Sequence, residues 1–554
     1  MKVCAKCGRK YSDETLYYCL DDGGELLYGQ SDENPTLIGV DGQVSEREVT
    51  KILPSDDSTR TRRKISSRTL FIVIGAVALI VAAGVVWKAV RSFSTKGDAS
   101  AIHSIAVLPL TDMSADQSQE YFADGMTDAL ISGLSQIRSI KVISRTSVMR
   151  FKGSHDSLPD IAHALGVDAV LEGSVLRSGS RVRITAQLVP ATTDAAIWSR
   201  NYERDMSDLL KLQSDVAQAV ASEIKINLTS AETARLSVSR TVDPRASEAL
   251  LLGNFYVRKR TDASIATAID QYNQAIAIQP DLAAAWAGLS DAWFQRSIWG
   301  KSSHTEVEPF VREGASKAIE LDPELPASQI VASTIAMNFD WDWPAGESHA
   351  KRAIELDPSN SDAYDGYAWY LLDFGRFDEM RETMTTAEKL DPVSSIIQSD
   401  FGRMLYRARD FTAAEAHLRR AIELDENNIG AYGRLVDVLS AEGKLGDASA
   451  IAQAGKDKGA GKRIEVREAL ALARAGQTKA ALDLWNSIPA KAPTELAQFA
   501  VIVGNIDEAF DQLNRGLDER VTVLPHIRVD PAFDRLHSDP RWAKLLARMN
   551  LPPS

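Results

Sequence analysis

Cysteine is nearly absent: three in 554 residues, Cys4, Cys7 and Cys19, all near the start. A disulfide framework therefore cannot hold the rest of the chain together. A basic excess is lacking too. Lys and Arg number 63 against 76 Asp and Glu, a formal net charge of -13, and this removes the broad cationic footprint of a nucleic-acid binder. Nucleic acid is not an expected partner. Catalytic signatures are missing as well: no P-loop, G-x-G-x-x-G, G-x-S-x-G or H-E-x-x-H motif, no kinase landmarks, and eight histidines scattered without ligand spacing. The sequence predicts no enzyme and no catalytic residue.

What is present is multidomain. With 44% hydrophobic and 25% charged residues the chain is globular in composition, and its length allows three or four domains at roughly 150 residues each. One run stands apart: Leu70 to Trp87, LFIVIGAVALIVAAGVVW, carries no charge over eighteen residues. That length crosses a hydrocarbon core as a helix, so residues 69–90 are expected to be one transmembrane helix. Six Lys or Arg in residues 50 to 69 face three in residues 88 to 107. The amino terminus is then expected in the cytoplasm and the later domains outside. The 69 residues before the run are too few for a winged DNA-binding helix domain of about 100 residues plus a linker.

The head, residues 1–28, has metal-ligand spacing. Cys4 and Cys7 form a C-x2-C knuckle followed by Gly8; Cys19 follows Cys7 with eleven residues between, and Asp22 follows Cys19 with two between. The stretch resembles the short bacterial zinc ribbons that end in C-x-x-D-G. The resemblance implies one zinc held by Cys4, Cys7, Cys19 and Asp22, with Asp21 an alternative to Asp22. Two other readings stay open: a metal-free ribbon, and a redox C-x-x-C, which normally needs a larger thioredoxin-like unit than fits here. Residues 29–68, polar and without apolar period, read as a flexible linker.

Beyond the membrane run, residues 101–230 alternate strands and helices. His103 to Leu110, Ser139 to Ser144, Asp168 to Arg177, Arg181 to Pro190 and Ala196 to Tyr202 read as strands, and Ser178-Gly179-Ser180 as a hairpin turn. Helices are expected over Glu120 to Ile137, Leu158 to Leu165 and Met206 to Leu228. The strings SIAVLPL, QEYFADGMTDALISGLS, IKVISRTSVMRFKG, LGVDAVLEGSVLRSGSRVRITAQLV and IWSRNYERD resemble the TolB-like amino-terminal domain that precedes tetratricopeptide repeats in bacterial membrane proteins. The resemblance implies an α/β fold, a place in a signalling or envelope architecture and no catalytic residues; the charge count places the domain on the outer, periplasmic side of the inner membrane. Asp124-Gly125 reads as a helix-capping turn.

From residue 246 to 528 the chain repeats. AIAIQP, AIELDP, AIELDP, AEKLDP and AIELDE end at Pro280, Pro323, Pro358, Pro392 and Glu426, at intervals of 43, 35, 34 and 34. A period of 34 with alanine before a terminating proline is the tetratricopeptide (TPR) pattern of paired antiparallel helices stacked into an all-α solenoid. The long interval is expected to hold about nine extra residues, Ile298 to Glu306, as a loop between two helices. Three weaker units follow, and residues 529–554 read as a closing cap with Pro531 and Pro540 in the first turns of short helices.

Function follows from that layout. The concave face of the solenoid is expected to take a peptide or partner helix. Counting from the prolines, the inward first-helix residues are Asp291, Phe294, Trp369, Arg403, Tyr406, Arg407 and Asp437. Phe294 and Tyr406 could equally pack between neighbouring helices. Arg403 and Arg407 lie four apart, where two guanidinium groups repel unless an acid answers them. The reading is a membrane-anchored scaffold; the rival is a transducer relaying outer binding to the zinc-ribbon head.

Overall fold

The computed structural model describes residues 2–4, 10–11 and 26–28, and the chain over 102–114, 120–193, 195–236, 242–300, 302–459 and 461–553. It forms two compact units, Met1–Ser94 and Thr95–Ser554. In the first unit β1 (Lys2–Cys4), β2 (Lys10–Tyr11) and β3 (Leu26–Tyr28) make an antiparallel sheet in the order β2-β1-β3. Lys2 lies opposite both Tyr11 and Tyr28. The side chains of the expected zinc ligands, the linker and the membrane run lie outside the described residues. Among the described residues no helix is long and apolar enough to cross a membrane.

The second unit begins with a mixed sheet in the order β6-β4-β7-β8-β9, with β5 paired to β7. Its strands are β4 (Ser104–Val107), β5 (Thr111–Asp112), β6 (Lys141–Val142), β7 (Ala169–Ser178), β8 (Arg181–Pro190) and β9 (Trp198–Asp205). All four residues of β4 are buried, as expected of a parallel strand covered on both faces. β8 instead alternates, burying Val182, Ile184, Ala186 and Leu188. Gly173 is required by its neighbour: a Cβ there would stand 2.0 Å from the Thr185 carbonyl oxygen.

Helix α1 (Glu120–Ser135) buries Phe122, Met126, Leu130 and Leu134, one residue per turn. Short helices α2 (Arg145–Met149) and α3 (Leu158–Leu165) follow, the latter capped by Ser157 and ended by Gly166 at φ 61°. The long helix expected over 206–228 is shorter. A 3-10 turn at Met206–Asp208 leads into α4 (Leu209–Glu223), and Lys225, at φ 60°, turns the chain away before α5 (Ser230–Leu236). Asp124-Gly125 is not a capping turn but the buried interior of α1. Asp124 accepts from Lys152 Nζ at 2.6 Å, and a Cβ on Gly125 would meet Leu251 at 2.7 Å.

Among the described residues eight helix pairs follow. They are α6 (Pro244–Val257) with α7 (Asp262–Ile278), α8 (Ala283–Trp299) with α9 (His304–Leu321), α10 (Pro326–Ile335) with α11 (Trp343–Leu356), and α12 (Ser361–Asp373) with α13 (Phe377–Leu390). Then come α14 (Ser395–Arg407) with α15 (Phe411–Leu424), α16 (Ile429–Ala441) with α17 (Leu445–Asp457), α18 (Gly461–Arg474) with α19 (Thr478–Ser487), and α20 (Pro493–Val503) with α21 (Ile506–Asp518). The period is chemical. Asn360, Ser394 and Asn428 each cap a first helix through their side chains, and Ala353, Ala387 and Ala421 are buried in the second helices. Tyr272 shows why small residues recur: its ring is wedged so closely that a Cβ on Gly253 or on Gly288 would come within 2.5 Å of it.

The interval of 43 is not a loop insertion. Ile298 and Trp299 end α8 and Glu306 lies in the first turn of α9, so the extra residues lengthen these helices to 17 and 18 residues, against 13 and 14 in α14 and α15. Successive first helices touch one another from α12 to α20, whereas successive second helices do so much less, so the solenoid curves with its first helices inside.

Two features join the ends of this unit to its middle. The α/β domain docks on second-helix ends: Val142 N–H donates to Ser359 Oγ at 3.1 Å, Ser144 N–H to the Leu390 carbonyl at 2.8 Å, and Arg150 Nη1 to the Leu424 carbonyl at 2.7 Å. The edge strand β6 is thereby covered. The terminal segment does more than cap. Helix α22 (Pro540–Arg548) lies against α21 through Arg548 and Asp518, 2.9 Å apart, but the 3-10 turns at Pro525–Arg528 and Pro531–Leu536 fold back onto the inner face. His526 Nδ1 is 2.6 Å from Asp373, Arg409 Nη1 donates to the Val529 carbonyl at 2.6 Å, and Trp343 Nε1 to the Met549 carbonyl at 2.8 Å.

Candidate functional site

The first helices carry the candidate residues to the inner face by the same register that builds the solenoid. Positions 400 and 434, and 403 and 437, are one period apart and carry opposite charges. Arg434 Nη1 lies 3.0 Å from Asp400 and donates to Ser399 Oγ at 2.7 Å; Arg467 reaches Asp437 at 3.4 Å and Arg474 reaches it at 3.6 Å. Each repeat answers the charge of the next.

Arg403, Tyr406, Arg407 and Asp437 come together around one cavity of about 270 Å³. Arg434, Arg467 and Arg474 complete its basic wall, and Ile527, Asp530 and Phe533 of the terminal segment form its opposite side. Arg407 pairs with Asp530 at 3.2 Å, both nearly fully buried. Arg403 makes no ion pair among the described residues; its guanidinium lies 4.7 Å above the Trp369 ring, which in turn meets His526 at 4.7 Å. Burial, and then the like charges of Arg407 and Arg434, press Arg403 well below the usual guanidinium range. Burial also raises the Tyr406 hydroxyl.

Asp291 and Phe294 lie elsewhere. Asp291 accepts from Gln295 Nε2 at 2.6 Å, and its burial inside the curve raises its carboxyl. Phe294 packs edge-to-face on His304 and Phe339 at 5.8 and 6.1 Å, between helices. Nearer the middle, Asp365 is raised well above the carboxylate range by burial and then by Asp400 and Asp362. The inner face thus has an acidic stretch at Asp291, Asp362 and Asp365 and a basic stretch from Arg403 to Arg474.

Arg434, Arg467 and Arg474 were not among the sequence candidates. The frame could have found the first two, since Arg434 stands one period from Asp400 and Arg467 follows 33 residues later. The terminal residues carry no such signal. Among the described residues no group of three or more His, Cys, Asp or Glu could hold a metal ion.

Comparison with known proteins divides the chain in the same places. Residues 100–222 match a family model described as the HilA/YgeH-like transcriptional regulator, second domain, and residues 405–473 match a tetratricopeptide repeat model. The chain therefore carries a TPR solenoid behind a small α/β domain. A protein of Rhizobium meliloti (strain 1021) named "Putative adenylate cyclase 3" is 36% identical over 187 residues, 34% of this chain. The match spans about a third of that relative, 32% of its length. Solved structures with similarity include pilF of Pseudomonas aeruginosa, 15% identical, covering 42% of this chain and 97% of that one at a TM-score of 0.31. Yeast Tom70 is 16% identical, with 62% and 82% covered and a TM-score of 0.35. A thermophilic TPR protein of Thermus thermophilus is 14% identical, with 35% and 98% covered and a TM-score of 0.30.

Proposed function

We propose that this chain is a non-enzymatic scaffold, anchored in the bacterial inner membrane by residues 69–90, that takes a protein or peptide partner on the inner face of its repeats. The observation that carries the reading is the division of that face into an acidic and a basic stretch. Asp291, Asp362 and Asp365 suit cations of an extended segment, which would run along the open acidic stretch, while the terminal segment covers the basic one. The charge asymmetry around the membrane run supports a cytoplasmic head and periplasmic outer domains. The TolB-like resemblance of the quoted strings fits an envelope setting. In the head, β1 pairs antiparallel with β2, and Cys4 is the last residue of β1. That pairing suits a ribbon knuckle in which Cys4, Cys7, Cys19 and Asp22 would hold zinc as a structural ion.

A photo-reactive residue in place of the exposed Asp362, in the full chain in its native membrane, tests the groove. A discrete adduct is expected there and not from position 423 on a second helix. Equal adducts at both positions, or none at either, reject it.

A second reading has its own support. The matched family model is described as part of a transcriptional regulator, and the curated relative is named as a cyclase. Both names belong to regulatory proteins, and a domain of that kind suits a transducer in which the cytoplasmic head is the output. Partner binding outside would then change zinc-head accessibility inside, measured by thiol labelling of Cys4, Cys7 and Cys19.

A further inference from the structure

The cavity at the basic end of the inner face is built around cations that the protein satisfies only in part. Arg407 is 8% exposed, and only its Nη2 meets a carboxylate, Asp530 at 3.2 Å. Its Nε and Nη1 find no hydrogen-bond partner among the described residues, and neither does Arg474 Nη1, which reaches Asp437 only at 3.6 Å. Arg403 has an aromatic ring beneath it and makes no ion pair among the described residues. Buried donors are paired in nearly all proteins, and an exception needs an explanation. Buried guanidinium donors left unmet cost more than neutral ones.

The space is large enough to supply the missing partner. At about 270 Å³ it exceeds several waters, each about 30 Å³ in the liquid, and falls just short of the range of small-molecule pockets. It is too small for a helix. Five arginines line it, and Asp400, Asp437, Asp530 and Glu495 answer all but Arg403, so an uncharged occupant would leave that one guanidinium without an ion pair and the donors of Arg407 and Arg474 unmet. Guanidinium forks match planar and tetrahedral oxyanions through paired N–H donors.

We propose that this cavity binds a small polyvalent oxyanion, a phosphate compound or a di- or tricarboxylate, held by Arg403, Arg407 and Arg474. One wall belongs to the repeats and the other to the terminal segment, so the anion ties the two together. This goes beyond partner binding, because a metabolite-sized anion occupies a space that no partner helix can enter.

Calorimetry and thermal unfolding of the full chain test it, with inorganic phosphate, pyrophosphate and citrate as probes at matched ionic strength. At least one probe is expected to bind with a stoichiometry of one and to raise the unfolding temperature. Preference for pyrophosphate over citrate assigns the phosphate source; the reverse assigns the carboxylate source. Affinity should fall at least tenfold in Arg474→Gln and Arg403→Gln and stay unchanged in Arg541→Gln on α22. Arg403→Gln is the decisive variant, because removing a cation without an ion pair orphans no carboxylate and the protein should fold at least as well. The proposal is overturned if no probe binds beyond a chloride control, or if Arg403→Gln folds and binds the probe as the unaltered chain does.

Discussion

The two stretches of the inner face are made from one repeat frame and behave as different surfaces. From α8 to α12 the face is acidic and its first-helix positions include the exposed Asp362 and Gly366. From α14 to α18 it is basic, laddered by ion pairs from one repeat to the next and covered by the terminal segment. The apolar and small residues that set the period are alike in both. What differs is the inward polar position, which packing does not dictate and which is free to specialise.

The largest effect should come from uncoupling the terminal segment. Phe533 is 1% exposed and packs with Trp542, ring centroids 6.4 Å apart. Phe533→Ala is expected to cost about 4 kcal/mol, as is usual for a deleted core aromatic. Hydrogen exchange should show protection lost from α12 to α20 and kept in α6 to α9. Uniform loss along the solenoid would mean that the two stretches are one cooperative body.

Breaking the buried pair comes next. Asp530→Asn removes the carboxylate that, among the described residues, alone pairs with Arg407 and should cost about 3 kcal/mol, because the uncompensated charge stays buried. The loss should shrink when an oxyanion probe is added, in denaturant titrations with and without pyrophosphate or citrate. A loss that no probe changes would separate the ion pair from the cavity.

The contact between the α/β domain and the repeats carries a pH dependence of its own. Asp357 and Asp391, 6% and 2% exposed, are pushed up to about 6 by burial, against the hydrogen bonds they receive, among them one from Ser147 to Asp391 at 2.5 Å. Between about pH 4 and 6 the unfolded carboxyl has lost its proton while the folded one keeps it, so stability falls as pH rises through that window and is level above it. Two such groups make the fall on the order of a few kcal/mol, at about 1.36 kcal/mol for each tenfold difference in proton affinity. Asp391→Asn keeps an acceptor for Ser147 and should remove roughly half of the fall. Urea titrations from pH 4 to 7.5 decide it: an unchanged slope in the variant would place the titration elsewhere.

Much of this fold was legible because periodicity is a property of neighbouring residues. The spacing of Pro280 to Glu426, the capping residues and the buried alanines all report local helix geometry, and the β7–β8 hairpin was plain from Ser178-Gly179-Ser180. The α8–α9 extension was misread because a nine-residue surplus looks the same whether it makes a loop or adds turns to two helices. The site was half legible. Arg403, Tyr406, Arg407 and Asp437 follow from the frame, and Arg434 and Arg467 stand close to it, but the frame weakens where the prolines stop after Glu426, and Arg474 falls beyond it. Asp530 and Phe533 had no signal at all, since a segment over a hundred residues away reaches Arg407 only through the curvature of the whole solenoid. The docking of Ser144, Ser147 and Ser359 is equally silent in sequence, being made of a few hydrogen bonds between residues more than 200 apart in the chain.

The smallest effect tests the open stretch and has the opposite sign. Gly366 lies in α12 at the position that holds Asp400 and Arg434 in the next two repeats, and a Cβ there would meet nothing within 4 Å. A helical glycine costs backbone entropy that alanine does not, by about 0.5 to 1 kcal/mol, and no contact opposes the exchange. Gly366→Ala should therefore raise the unfolding free energy by up to about 1 kcal/mol, read from the denaturant midpoint at constant slope. If the partner reading is right, the same change should weaken capture from position 362, because the methyl group narrows the floor over which a bound segment would run. A variant that is more stable and captures equally well would move the partner off this part of the face, and leave the glycine as a residue that neither packing nor binding requires.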